Sequence, residues 1–338
     1  MLILGIESSC DDTSVSVLRD GKVLSLAVNT QTIHSEYGGV IPEMASRAHM
    51  KNIPAVLQTA LRDADVNLKD IDAVGVTYGP GLVGPLLVGL NFAKGLAFSL
   101  SVPLVPVNHI EAHILANFIE HPDIEYPFIA LVVSGGHTEL IYSPSLGVYE
   151  LLGRTRDDAA GECIDKVSKM LGRGFPGGKV IDSLASNGDP FFAVFPRGMK
   201  NSPEFSFSGL KTAVKYYIEK KGKEFIEQNI ENIAASFIES VTDSLTEKLF
   251  KAAEEKKKAS LLLAGGVSAN SALRKKASDY ATEKNIKLYF PSVKYCTDNA
   301  AMTAMTAYLM IKKFGPGKFR FDPSSDAVPF LRIEDKFN

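Results

Sequence analysis

Apolar residues recur in alternation on both sides of the polar run Glu7-Ser-Ser-Cys-Asp-Asp12. A period of two predicts strands, here a hairpin whose turn carries the polar cluster, and Asp20-Gly21 turns the chain into a third strand. The pattern then changes to a helical one over 42–64, a strand over 73–77, a helix from about 84 and a strand over 104–107, after which His109 opens the next helix. The same order returns further on. YPFIALVVSGGHTELIYSP reads as strand, Gly-rich turn and strand, and GVYELLGRTR as a third strand. Helices follow, then a buried strand over 260–266, a helix over about 270–282, a short strand in IKLYF, a helix over 300–312 and a Pro-rich tail.

Three strands followed by alternating helix and strand is an α/β order, and its repetition predicts two similar lobes with a cleft between their turns. We expect the first lobe over 1–125, joined by the C-terminal segment 298–338, and the second over 126–297. Between periodic stretches, 172–210 is rich in Gly, Pro, Ser and Phe, and an irregular segment of that length inside a lobe is expected to be a binding loop.

Length and composition fit this picture. A chain of 338 residues, 45% hydrophobic and 22% charged, has the profile of a globular protein with two cores. Its net charge of −2 gives no general attraction to nucleic acid, so any RNA contact must come from a local basic patch. Arg154, Arg156, Lys169 and Arg173, or Lys211 and Lys215, are the local candidates, whereas the lysine run 256–258 closes a helix and reads as a dipole contact. Cys10, Cys163 and Cys296 are an odd, scattered set, which excludes a disulfide framework and a C-x-x-C clip and fits a reducing compartment. The N-terminus has no basic n-region and is not expected to be a signal peptide. The apolar run 81–100 is of membrane length but contains Pro85, Asn91 and Lys94, and is read as a buried helix. A cytoplasmic protein with no membrane partner is expected.

The segment Asn108-His-Ile-Glu-Ala-His113 carries the sharpest chemistry. On a helix, His109 and His113 leave one face within reach of a single metal ion. Glu111 stands two positions past the first His, in neither the H-E-x-x-H nor the H-x-x-E-H order, which disfavours peptide hydrolysis. A solvated His pair is the plain alternative.

Three turns can hold an anion on backbone N–H groups: the one following Val132 and Val133 at Ser134, Gly135 and Gly136, the one at Gly265-Gly266 before Asn270, and the one at Gly177-Gly178 before a helix bearing Asp182. The first two read as closing equivalent strands of the duplicated lobes. Gly79-Pro-Gly-Leu-Val-Gly84 matches G-x-G-x-x-G, but the next strand ends in Pro106-Val107-Asn108 without the acidic residue a dinucleotide site needs. The segment 172–179 is no P-loop, since Arg173 and Val180 stand where Gly and Ser/Thr are required.

Taken together, GIESSCDDTS, NHIEAHI, VVSGGHTEL, GECIDKVSKMLG, FPGGKVID, FSFSGLKTAV, LLLAGGVSAN and CTDNAAM resemble the tRNA N6-adenosine threonylcarbamoyltransferase family in its bacterial TsaD form, over essentially the whole chain. The resemblance implies two RNase H-like lobes of the actin/sugar-kinase/Hsp70 type with a central nucleotide cleft. It implies a metal, commonly iron, on residues matching His109, His113 and Asp298, and a substrate nucleotide held by residues matching Val132, Val133, Ser134, Gly135, Gly136, Asp165, Gly178, Asp182 and Asn270. Two imidazoles and a carboxylate suit Fe(2+) or Zn(2+) equally, so ligand type does not choose between them. Without the resemblance, Thr297-Asp298-Asn299 reads as an N-cap cluster for the last helix.

The implied reaction moves a threonylcarbamoyl group from threonylcarbamoyl-AMP to N6 of an adenosine beside the tRNA anticodon, with ATP or ADP able to take the adenylate's place. Asp11, on the first hairpin turn, is the expected proton acceptor, although a turn Asp also serves its own backbone. The implied partners are tRNA, a TsaB-like subunit and a TsaE-like ATPase. The rival reading is an ATPase or kinase-like protein of the same fold, against which stands Glu7 where those folds place Asp.

Overall fold

The period-two stretches form two five-stranded sheets, and the helical stretches flank them. In chain order the elements are β1 (Leu2–Glu7), β2 (Asp12–Arg19), β3 (Lys22–Thr30), α1 (His34–Tyr37), α2 (Pro42–Ala64), β4 (Ala73–Gly79), α3 (Val83–Leu100), β5 (Leu104–Asn108) and α4 (His109–Leu115). Then come β6 (Phe128–Val133), β7 (Thr138–Ser145), β8 (Val148–Arg154), α5 (Ala160–Met170), α6 (Gly178–Ala185), α7 (Ser208–Lys221), α8 (Lys223–Gln228) and α9 (Ile230–Glu255). The last are β9 (Ser260–Ala264), α10 (Ser271–Lys284), β10 (Leu288–Tyr289) and α11 (Ala300–Phe314). The computed structural model describes residues 1–257, 259–319, 322 and 324–335, and of residues 35 and 36 it describes the backbone. Lys258, the end of the lysine run, lies outside the described residues, as do parts of the C-terminal tail.

The chain divides into two units, Met1–Asp123 with Pro291–Asn338, and Ile124–Phe290. Residues 291–297 therefore belong with the first unit, whereas the sequence reading groups them with the second.

The sheets repeat one topology. The first has the order β3-β2-β1-β4-β5, and the second, read from its own first hairpin, is β8-β7-β6-β9-β10. In each, the first strand pairs antiparallel with the second and parallel with the fourth. The central parallel strands are buried on both faces, as flanking helices require.

In the first unit α11 lies on the sheet through a row of small residues, Ala300, Ala304 and Ala307, each fully buried. Gly5 makes this possible, because a Cβ there would stand 2.3 Å from the Ala300 carbonyl oxygen. The helix α3 buries Pro85, Leu86, Gly89, Leu90, Ala93 and Ala97 and exposes Val83 and Phe98. It is long and apolar enough to cross a membrane, with a mean hydropathy of 1.4, and one face of it is buried in this unit.

In the second unit, 172–210 is largely framework. It contains α6 and a run that Phe195, Phe205 and Phe207 anchor in the core. Asn232 and Ser236 of α9 bond the backbone of Asp189 and Ala193, and Arg197 clasps Asp243 at 2.6 Å and 3.0 Å.

Candidate metal centre and nucleotide turns

The strand β5 passes into α4 without a loop because Asn108 caps the helix, accepting from the N–H groups of Ile110 and Glu111 at 2.9 Å and 3.2 Å. Every residue of α4 is buried, so the His pair is part of the interior of the first unit. The two rings meet edge to face, with centroids 4.6 Å apart. Asp298 arrives from the loop before α11. The cap of that helix is Asn299, the residue after Asp298, which accepts from Met302 N at 3.1 Å. Asp298 Oδ1 stands 3.1 Å from His113 Nε2 and 3.7 Å from His109 Nε2.

A second layer supports this group. His109 Nδ1 lies 3.4 Å from Glu7 Oε2 and 3.3 Å from Ser9 Oγ. A carboxylate only accepts, so Nδ1 carries a hydrogen toward Glu7, and Nε2 is the atom left facing Asp298. Glu7 is fully buried and is itself held by Thr77 Oγ1 at 2.5 Å, Ser9 N at 2.8 Å and Thr303 Oγ1 at 3.4 Å. His113 Nδ1, by contrast, is buried without a hydrogen-bond partner.

Electrostatics follow from this crowding. Burial opposes a charge on His109, but Asp298 and Glu7 outweigh it and lift the imidazole to about 9. Burial likewise works to raise the Glu7 carboxyl, and the His109 charge and hydrogen bonds hold it below its ordinary value instead. The cluster thus demands a positive charge beside two carboxylates. The donor atoms of His109, His113 and Asp298 all lie within 4.8 Å of one another, the one such group among the described residues. Ligands at roughly 2.0–2.2 Å from one ion stand about 3.0–3.6 Å apart; the 3.1 Å spacing of His113 to Asp298 lies in that range and the 3.7 Å spacing of His109 just beyond it.

The hairpin turn between β1 and β2 adds carboxylates. Asp11 is half-buried there, and its carbonyl accepts from Gln31 N at 3.2 Å. Burial, then Asp11 and Asp298, push the Cys10 thiol well above its usual range. Asp12, next in line, has a buried Oδ1 without a partner. Burial raises its carboxyl to about 6, against a hydrogen bond with Thr30 and with the help of Asp298, Asp11 and Glu7. Sequence reasoning missed the supporting role of Glu7 and the presence of Asp12. The signal available for both was a run of acids at the end of a strand buried on both faces.

The second unit is built differently. Val132 and Val133 end β6 in the core, and Ser134 closes a tight turn, its N–H donating to His137 O at 2.8 Å while its Oγ accepts from His137 N at 3.1 Å. The N-terminus of α5 is pressed against this turn. Gly161 N donates to Ser134 O at 3.2 Å, and a Cβ on Gly161 would lie 2.5 Å from that oxygen. The Cβ directions of Gly135, Gly136 and Gly178 all open into empty space. The two Gly-Gly turns at 135–136 and 265–266 do not close equivalent strands of two lobes. They follow β6 and β9, which are parallel neighbours in one sheet, with Val132 paired to Ala264. Both therefore rise from the carboxyl ends of adjacent parallel strands, where open α/β sheets bind ligands.

Asp165 on α5 accepts from Gly177 N at 2.7 Å, and burial raises its carboxyl against that bond. Asp182 Oδ1 on α6 takes Asn270 Nδ2 at 2.7 Å, Ser271 Oγ at 2.9 Å and Ser271 N at 3.1 Å, while Asn270 caps α10. Asp182 and Asn270 are thus joined directly, and Asp165 shapes the turn that exposes Gly178.

A buried His/His/Asp cluster able to hold a metal on one α/β unit, and open glycine turns at parallel strand ends on the other, are the two candidate sites of a protein of duplicated sheet topology. The pattern of the family described as "TsaD: tRNA N6-adenosine threonylcarbamoyltransferase" matches residues 22–305, and the chain belongs to that family. A curated relative from Thermosipho africanus, named tRNA N6-adenosine threonylcarbamoyltransferase, is 49% identical over 98% of this chain and 100% of its own length. Among solved structures, full-length HypF in a phosphate- and nucleotide-bound form matches 93% of this chain and 47% of its own with a TM-score of 0.61 at 14% identity. The ROK hexokinase of Thermus thermophilus matches 93% of this chain and 100% of its own with a TM-score of 0.50 at 17% identity. The fold is the actin/sugar-kinase/Hsp70 type.

Proposed function

We propose that this chain transfers a threonylcarbamoyl group from threonylcarbamoyl-AMP to N6 of the adenosine next to the anticodon of tRNA. The observation that carries the reading is the convergence of His109 and His113 with Asp298, 185 residues beyond His113 in sequence, in a chain that matches the family over 22–305. These three residues hold one divalent metal, which we assign as Fe(2+), with Zn(2+) equally suited to the donors. When bound, the metal supplies Lewis-acid polarisation of the adenylate's carbonyl.

The chain's own groups do the rest. Glu7 fixes the tautomer of His109, so that Nε2 faces the ion. Ser134, Gly135, Gly136 and Gly178 present backbone to the nucleotide, with Val132 and Val133 anchoring the turn from the buried end of β6, and open Cβ directions at the glycines support a close approach. Asp165, Asp182 and Asn270 orient the ribose and base. In the transfer, the N6 lone pair attacks the carbonyl carbon, the bond from that carbon to the phosphate oxygen breaks, AMP departs with the electron pair, and the N6 proton passes to Asp11. N6 is a weak nucleophile because its lone pair is delocalised into the ring, which is why carbonyl polarisation and proton acceptance are both needed.

We place the reaction in the cytoplasm, with a separate enzyme making the adenylate, a TsaE-like ATPase as partner and ATP or ADP able to occupy the adenylate's place. A TsaB-like subunit docks on the first unit. The exposed apolar residues Val83 and Phe98 of α3 support a helix-packing partner there.

The kinase or ATPase reading is disfavoured by Glu7, whose oxygens are taken up by Ser9, Thr77, Thr303 and His109. The test is reconstitution of the purified chain with its partner proteins, synthetic threonylcarbamoyl-AMP and tRNA, scored by mass spectrometry of the nucleosides. Threonylcarbamoyladenosine that depends on the chain is the expected product. ATP hydrolysis without tRNA, indifferent to His109→Ala and with no modified nucleoside formed, points to the alternative.

A further inference from the structure

The basic side chains near the glycine turn of the second unit are nearly all engaged. Arg156 pairs with Glu204 at 3.0 Å and Arg173 with Glu227 at 2.7 Å. Lys166 and Lys211 both close on Asp158, and Lys169 lies over the Phe175 ring, 4.9 Å from its centroid. Lys215 reaches Glu219 along its own helix at 3.8 Å.

Arg154 is different. It ends β8, half-buried, and only its main-chain N–H is used, toward Glu204 Oε2 at 3.4 Å. Among the described residues its guanidinium makes no hydrogen bond, ion pair or ring contact, even though Glu139 is its partner across the β7–β8 ladder. It lines an open cavity of about 290 Å³ together with Gly136, His137, Thr138, Glu139 and Arg156. Gly136 belongs to the turn assigned above to the substrate nucleotide.

A half-buried guanidinium without an ion-pair partner keeps its donors available to a ligand, and its planar fork matches an oxyanion through two parallel N–H···O bonds. With a net charge of −2 the protein has no general pull on a polyanion, so RNA must be gripped at particular points such as this one. A strand whose adenosine approaches an adenylate held at Gly135-Gly136 brings its own phosphates alongside.

We infer that Arg154 and the cavity beside Gly136 bind a backbone phosphate of the tRNA next to the adenosine that is modified. This rests on the transferase reading above. Arg154 is here a positioning residue, since it touches the nucleic acid away from the reacting atoms. The competing source of the same oxyanion chemistry is the adenylate, through its phosphate or threonyl carboxylate.

The test uses the complete complex with partners and unmodified tRNA, titrated by fluorescence anisotropy over a series of salt concentrations. Variants are Arg154→Ala, Arg154→Lys and, as a charge control, Lys275→Ala, an exposed lysine paired with Asp279 on α10. Arg154→Ala is expected to weaken tRNA binding about five- to tenfold at low salt and to reduce the slope of log K against log salt by about 0.7–0.9, one phosphate contact. Arg154→Lys should recover the slope but not the full affinity, because a point charge replaces the fork. Lys275→Ala should change neither, and the KM for threonylcarbamoyl-AMP should stay the same in all three. Unaltered affinity and slope in Arg154→Ala overturn the assignment, as does a raised adenylate KM with tRNA binding intact, which assigns the cavity to the adenylate. A wild-type complex that neither binds nor modifies tRNA removes the transferase reading itself. A wild type that modifies tRNA alongside an unaffected Arg154→Ala removes only the phosphate site.

Discussion

The two units share one strand order, yet their matching turns carry opposite chemistry. Between β1 and β2 the first unit has Ser8 to Asp11, flanked by the carboxylates of Glu7 and Asp12. Between β6 and β7 the second has Ser134-Gly135-Gly136-His137. The first turn offers side-chain oxygens in a buried setting, which favours a cation. The second offers backbone and empty space at the ends of parallel strands, which favours an anionic, planar ligand. The topology is a common frame, and the side chains that each unit brings to its strand ends set the local charge there.

Substitutions on either side should therefore separate metal from nucleotide. His113→Ala removes a donor from a cluster whose atoms lie within 4.8 Å of one another. It should abolish stoichiometric metal binding, read by elemental analysis, and lower the transfer rate about a thousandfold. On the other unit, Gly161→Ala sets a Cβ 2.5 Å from the Ser134 carbonyl oxygen and must displace the turn. We expect the KM for threonylcarbamoyl-AMP to rise about a hundredfold in steady-state assays, with metal content unchanged. An unchanged KM would detach the glycine turn from the nucleotide.

Glu7→Gln keeps the shape beneath His109 but removes the charge. Loss of such a supporting carboxylate should weaken metal binding about ten- to a hundredfold by calorimetry. The pH dependence has a definite sign. In the metal-free chain His109 is held protonated up to about 9, so an entering metal displaces that proton. Affinity should rise about tenfold per pH unit up to about 9 and then level off. In Glu7→Gln the levelling should occur at lower pH, because one of the two carboxylates that lift His109 is gone.

The smallest effect concerns a buried charge without a hydrogen-bond partner. Lys248 on α9 is 4% exposed, its ammonium has no hydrogen-bond partner, and the nearest ring, Phe205, is 5.6 Å from it. Burial lowers its pKa below the ordinary 10.5, so the unfolded chain holds the proton more tightly than the folded one. Lys248→Met should raise stability by about 1 kcal/mol in denaturant titrations near neutral pH. The gain should shrink as the pH climbs toward 10.5, where both states lose the proton.

Local pattern was enough for much of this molecule. The β1–β2 hairpin, the helix over Pro42–Ala64 and the His pair opening α4 are written in periodicity and spacing, and the structure has all three. What periodicity does not contain is which strand lies beside which. Hence the turn after β9 looked like the counterpart of the turn after β6 in another lobe, whereas the ladder joins the two in one sheet. Glu7 was hidden for the same reason, since its partners Thr77, His109 and Thr303 come from three distant elements. Lys211 looked like a free surface charge because Asp158, which it closes on, lies 53 residues away. Asp298 was hard to weigh from sequence because its neighbour Asn299 has the same capping chemistry, and only coordinates show which of the two caps α11.

The most direct test strips the purified chain of metal and returns Fe(2+) in fractional equivalents, with threonylcarbamoyl transfer to tRNA measured at each step in the presence of partners and synthetic adenylate. Transfer that rises in proportion to bound metal and reaches its plateau at one equivalent per chain, with Asp298→Ala neither retaining metal nor responding to it, is the predicted result. Full transfer by the metal-free chain, or by Asp298→Ala, contradicts the assignment of His109, His113 and Asp298 as the metal centre on which the reaction depends.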